Sequence, residues 1–95
     1  MWHVYVLYSV ASGKTYTGYT NDVDRRIYEH NVSELRGFTI RYRPWTLIHR
    51  EPYSTQSEAI SRERFLKTGG GREEVKIFVQ SFLSGGAVSA AAEKD

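Results

Sequence analysis

The segment HVYVLYSVASGKTYTGYTNDVDRR, residues 3–26, decides how the rest of the chain is read. From Trp2 to Ser9 apolar side chains alternate, with Trp2, Val4, Val6 and Tyr8 on one face and His3, Tyr5 and Leu7 on the other. Period-two alternation marks a strand, and apolar residues on both faces mark a central one. Ala11-Ser12-Gly13-Lys14 has turn composition, and Thr15–Thr20 forms a second strand rich in Thr and Tyr. An antiparallel hairpin is the simplest connection, and it brings Tyr5 and Tyr16 together. Gly18 leaves no side chain to pack, so something is expected to approach the backbone there.

Outward from the hairpin, Asn21 or Asp22 can cap a helix running to about His30 or Val32. Val23 and Ile27 would face the sheet, and Arg26 and His30, four apart, share a neighbouring face. Val32–Tyr42 has no clear period and reads as a loop bent at Gly37. Trp45–Arg50 reads as a third strand, opened by Arg43-Pro44 and closed by Pro52. Thr55-Gln56-Ser57-Glu58 is a capping box for a helix through Lys67, which Thr68 and Gly69-Gly70-Gly71 are expected to end. A last helix starts near Arg72, with Val75, Phe78, Val79 and Phe82 as its apolar stripe. The order ββαβαα implies an α+β fold, a small three-stranded antiparallel sheet flanked by helices. One domain is expected over residues 1–84, followed by a disordered tail over 85–95.

Ninety-five residues, 40% of them hydrophobic and 14% aromatic, suit one domain with a single modest core. The chain has no cysteine, which excludes disulfides and thiolate metal sites. No stretch approaches the ~20 apolar residues of a membrane span. The expectation is therefore a soluble cytoplasmic protein without a membrane partner, a monomer or weak dimer. Net charge is only +2, but nine of the thirteen basic residues are arginine, whose fork binds phosphate bidentately. Four of them lie between Arg36 and Arg50 with no acid, interleaved with Phe38, Tyr42 and Trp45. That composition suits phosphate contact and base stacking.

These residues carry a resemblance. His3-Val4-Tyr5 followed after ten residues by Tyr16-Thr17-Gly18 resembles the paired motif of the GIY-YIG nuclease superfamily. Arg26 lies eight residues after Gly18, where that family has an arginine, and His30 follows one helical turn later, as in several branches. Arg43-Pro44-Trp45 is similar to the start of the family's third strand. Glu63 within AISRERFLK stands where the family has its metal-binding glutamate. The segment Lys67–Glu73 is similar to that of small single-domain bacterial members. His3 replaces the first motif glycine and Thr17 the usual isoleucine. The asparagine that some members carry after the metal glutamate has no clear counterpart.

The resemblance implies a divalent-metal-dependent endonuclease that hydrolyses DNA phosphodiester bonds. Structure-selective cutting at a flap, nick or junction, in DNA repair or processing, is the expected form, because a chain this short leaves no separate sequence-reading domain. A catalytically weak nucleic-acid-binding module of the same fold is the alternative. The implied roles are a base for Tyr5, water or phosphate orientation for Tyr16, and a proton acceptor for Tyr5 in His30. Arg26 would brace the developing phosphorane and Glu63 hold one Mg²⁺ or Mn²⁺. Lys67, Arg41 and Arg43 are candidate phosphate contacts, and Gly18 shapes the backbone at the site. A free phenol has a pKa of ~10, so a tyrosine base needs a nearby cation. Each residue also has a plainer reading: strand packing for Tyr5, a salt bridge to Asp22 for Arg26, a helix-end cation for His30, and an i,i+4 pair with Lys67 for Glu63.

Overall fold

A computed structural model describes residues 1–85 of the chain. The tail expected over 85–95 falls, beyond Gly85, outside the described residues. Strand β1 (Trp2–Tyr8) is central and pairs antiparallel with β2 (Thr15–Thr20) on one side and β3 (Thr46–Tyr53) on the other. The hairpin turn is closed by Ser9 N–H to the Lys14 carbonyl at 2.9 Å and Gly13 N–H to the Ser9 carbonyl at 2.8 Å. Its register sets Tyr5 opposite Gly18 and Leu7 opposite Tyr16. The expected α+β architecture is the one observed.

Alternation along β1 feeds two apolar layers. Val4, Val6 and Tyr8 pack with Ile48, Ala59, Leu66 and Val75 beneath helices α2 (Gln56–Leu66) and α3 (Gly69–Leu83). Tyr5 and Leu7 pack on the opposite face with Trp45, joined by Tyr16, Ile27, Tyr42 and Leu47. A bulge in the β1–β3 pairing falls between Val6 and Leu7, so His49 and Ile48 both come to lie within the helix-covered side. His49 stacks on Phe78 of α3 with ring centroids 3.7 Å apart.

Helix α1 (Val23–Tyr28) is capped by the Asp22 carboxylate, which accepts from Arg25 N–H at 3.0 Å. It continues as a π-helical turn, Glu29–Ser33, closed by Glu34 N–H to the Glu29 carbonyl. The expected helix length is thus nearly right, but its end is wound wider. Asn31 ties this turn to the start of β3, donating to the Trp45 carbonyl at 3.0 Å and accepting from Trp45 N–H at 2.6 Å. The stretch read as a loop contains a 3₁₀ turn, Phe38–Tyr42, entered through Gly37 at φ +116°.

Two boundaries differ from the sequence reading. Strand β3 runs through Pro52 to Tyr53 rather than closing there, which an edge strand tolerates because proline lacks only a donor. The triple glycine does not separate the last two helices. Thr68 caps α3 from Gly69 onward, accepting from Gly71 N–H at 3.4 Å, so the glycines form its first turn. Gly71 is buried there, and a side chain on it would collide with the Phe65 carbonyl oxygen. Glycine is used for backbone contact between two abutting helices.

Candidate active site

Tyr5 is directed off β1 into the layer beneath α1, with only 1% of its surface exposed. The space it fills exists because Gly18 stands opposite: a Cβ there would lie 2.5 Å from the Tyr5 hydroxyl oxygen. The expected close approach at Gly18 is therefore made by the tyrosine ring itself. The hydroxyl meets His30 Nε2 at 2.9 Å. Tyr16, from β2, is half-buried, with its ring centroid 4.6 Å from that of His30 and 6.2 Å from that of Tyr5. The π-helical turn aims His30 inward, where it is 1% exposed.

A hydrogen-bonded chain leads onward from His30. Its Nδ1 lies 3.1 Å from Thr39 Oγ1, and the Thr39 hydroxyl donates to Glu34 Oε1 at 3.3 Å. Burial, reinforced by the Arg26 charge, lowers the His30 pKa and keeps the imidazole neutral. The chain is self-consistent for that tautomer: Tyr5 O–H donates to Nε2, and Nδ1–H donates to Thr39. Arg26 NH1 donates to Glu29 Oε1 at 2.6 Å and to Glu34 Oε2 at 3.1 Å. Burial opposes the Arg26 charge, but bonds to Glu29, Tyr5 and Glu34 outweigh it and hold its pKa up. The same bond depresses Glu34, against the cost of burying its carboxylate.

The environment of Tyr5 does not suit the expected water-activating base. Burial drives its pKa up to about 12, the Arg26 hydrogen bond offsetting only part of that. Its proton is held by His30, and its surface is closed to solvent. Tyr16 is the more accessible of the two phenols. Arg26 pairs with Glu29 and Glu34 rather than with Asp22, and His30 is a buried core group rather than a helix-end cation.

Glu63 lies on α2, its side chain 15% exposed and paired with Lys67 Nζ at 2.6 Å. That ammonium also stands 6.0 Å over the Tyr16 ring, which links Glu63 to the tyrosine pair. Among the described residues there is no cluster of three or more His, Cys, Asp or Glu able to hold a metal. A Mg²⁺ site needs fewer: one carboxylate, several waters and substrate phosphate suffice. Glu63 fits that donor set as a single carboxylate, with the Lys67 ammonium as its present partner.

The remaining candidates divide. Arg43 is spent on structure, donating to the carbonyls of His30 at 2.6 Å, Glu34 at 2.8 Å and Glu29 at 3.4 Å. It locks the π-helical turn instead of facing a phosphate. Trp45, expected to help stack bases, is 3% exposed and donates Nε1–H to the Thr39 carbonyl at 2.7 Å. Arg41 is exposed in the 3₁₀ turn. Glu34 and Thr39 were not among the sequence candidates. Both lie in the stretch read as a loop, Glu34 in extended backbone just past the π-helical turn, and nothing in the local pattern points to either.

The GIY-YIG catalytic domain model matches residues 1–74. A UPF0213 protein of Halobacterium salinarum is 45% identical over 78 residues, 82% of this chain and all of that protein. One from Staphylococcus saprophyticus is 33% identical over 75 residues, 79% of this chain and 92% of its own. The solution NMR structure of a UPF0213 protein from Bacillus halodurans is 32% identical, covers 79% of this chain and 82% of its own, and superposes with a TM-score of 0.47. No helix among the described residues is long and apolar enough to cross a membrane. The chain belongs to the GIY-YIG catalytic domain family, which implies activity of the nuclease type.

Proposed function

We propose that the protein is a divalent-metal-dependent endonuclease that hydrolyses DNA phosphodiester bonds at flaps, nicks or junctions. The observation that carries this reading is the meeting of Tyr16, Tyr5 and His30 in one cluster, to which Lys67 links Glu63. Phosphodiester hydrolysis needs an oriented water, stabilisation of charge on phosphorus and help for the leaving oxygen. The accessible Tyr16 phenol orients the attacking water, and Tyr5, held by His30 and Arg26, fixes that ring from behind. Tyr16 thus keeps the orienting role expected of it, and Tyr5 gives up the role of base for one of support. Arg26 offers a charge-assisted donor to the phosphate, its two carboxylate bonds both passing through one nitrogen. Glu63 would hold Mg²⁺ or Mn²⁺, which when bound supplies positive charge for the non-bridging oxygens.

One observation favours the alternative of a catalytically weak binding module. Glu63 is closed by Lys67 and must exchange partners before it can hold a metal, and the Arg26 charge is already compensated by Glu29 and Glu34. Labelled blunt duplex, nicked, flap and four-way-junction DNAs, incubated with Mg²⁺ or Mn²⁺ beside Arg26→Ala, separate the readings. The nuclease reading expects metal-dependent product from a branched or nicked DNA that Arg26→Ala abolishes. Salt-sensitive binding without product would support the module instead.

A further inference from the structure

The sheet order leaves β2 as an edge, and a cavity lies between that edge and α3. Its floor is apolar, formed by Leu66, Val75 and Val79. Lys67, Arg72 and Lys76 stand around it, and no acidic residue lines it. Tyr16 also lines it, so the cavity and the tyrosine cluster share a residue. Arg72 makes no ion pair among the described residues, while Lys76 has only an exposed contact to Glu73 at 3.3 Å. Cationic groups beside an apolar floor and an aromatic ring provide both things that single-stranded nucleic acid needs, phosphate neutralisation and a surface for an unstacked base. A paired base is already stacked on both faces within its duplex and cannot enter such a recess without unpairing.

We propose that this cavity receives an unpaired nucleotide of the strand positioned at Tyr16, with Arg72 and Lys76 on its phosphate. The proposal rests on the nuclease reading for the identity of the strand and gives that reading a physical source of preference for DNA with an unpaired end. Lys67 joins the two regions, because the residue whose ammonium pairs with Glu63 also lines the cavity. A nucleotide phosphate that draws Lys67 into the cavity would release the Glu63 carboxylate. Occupancy of the cavity is thereby linked to completion of the catalytic site.

The test is fluorescence anisotropy in EDTA with two DNAs of equal length, a blunt duplex and one carrying a three-nucleotide flap. The Arg72→Ala/Lys76→Ala protein is expected to bind the flap DNA ~10-fold more weakly and the blunt duplex less than about twofold more weakly. Arg72→Lys/Lys76→Arg, which keeps the charge, should restore flap binding. Equal weakening on both DNAs, or unchanged flap binding, overturns the proposal. Because no metal is present and binding alone is read, the result stands whether or not the protein cleaves DNA. Failure of the nuclease reading shows separately, as absence of product with Mg²⁺.

Discussion

The Tyr5 hydroxyl and His30 Nε2, 2.9 Å apart, join the central strand to the π-helical turn across twenty-five residues of chain. Both side chains are buried, so removing the hydroxyl leaves an unsatisfied ring nitrogen. Tyr5→Phe is expected to lower stability by ~1–3 kcal/mol in urea unfolding, and to slow cleavage through misplacement of Tyr16.

The neutral state of His30 has its own signature. Its folded pKa lies below the unfolded value of 6.5, so the unfolded chain takes up the proton first as pH falls. The associated stability is complete above 6.5 and declines as pH drops below it. His30→Gln should remove that decline, which unfolding midpoints between neutral and mildly acidic pH will show.

Gly18→Ala tests whether the pocket for Tyr5 is fixed by the hairpin register. The added methyl would stand 2.5 Å from the hydroxyl oxygen, displacing the ring from His30. A cost of ~1–3 kcal/mol is expected for such overpacking, together with a loss of cleavage like that of Tyr5→Phe. Midpoints equal to those of the parent protein would show that the ring can move aside freely.

Most of this architecture is legible in the residues because local pattern and tertiary role agree. The alternation of β1, the Thr55–Glu58 capping box and the Val75–Phe82 stripe each describe a segment that buries one predictable face or two. Where a residue acts through distant partners, local pattern misleads. Gly69-Gly70-Gly71 has the composition of a helix stop, yet the contact of Gly71 with the Phe65 backbone makes it a helix start. Arg43 and Trp45 have the composition of a nucleic-acid surface, yet their hydrogen bonds go to carbonyls of the π-helical turn and of the 3₁₀ turn. Tyr16, Arg26, His30 and Glu63 are marked by the resemblance to the family's motifs, whereas the link through Thr39 exists only once the chain folds back.

A second polar network, on the helix-covered side, governs stability in acid. Glu51 accepts from Tyr53 at 2.7 Å and from Arg62 at 2.9 Å, with His49 Nε2 at 2.6 Å. Burial raises its pKa, but the bonds from His49, Arg62 and Tyr53 prevail and bring it down to about 2 from 4.5. The stabilisation is present above 4.5 and lost as pH falls toward 2. By linkage it amounts to about 3 kcal/mol. Glu51→Gln should therefore be markedly less stable at neutral pH, the gap narrowing as pH is lowered through that window in urea titrations.

Lys67 and a divalent cation compete for Glu63 if the carboxylate is the metal ligand. Lys67→Met should then bind Mn²⁺ ~3- to 10-fold more tightly without DNA, measured from the free-ion electron paramagnetic resonance signal. An unchanged affinity would place the metal elsewhere.

The most direct test is the single-turnover nicking rate of Glu63→Ala beside the parent protein, at saturating Mg²⁺ on the best DNA of the panel. Near-UV circular dichroism of both confirms an unchanged fold. Loss of the Glu63 carboxylate is expected to lower the rate by ~10³-fold or more. A rate within about twofold of the parent would contradict the assignment of Glu63, and with it the site built around Tyr16.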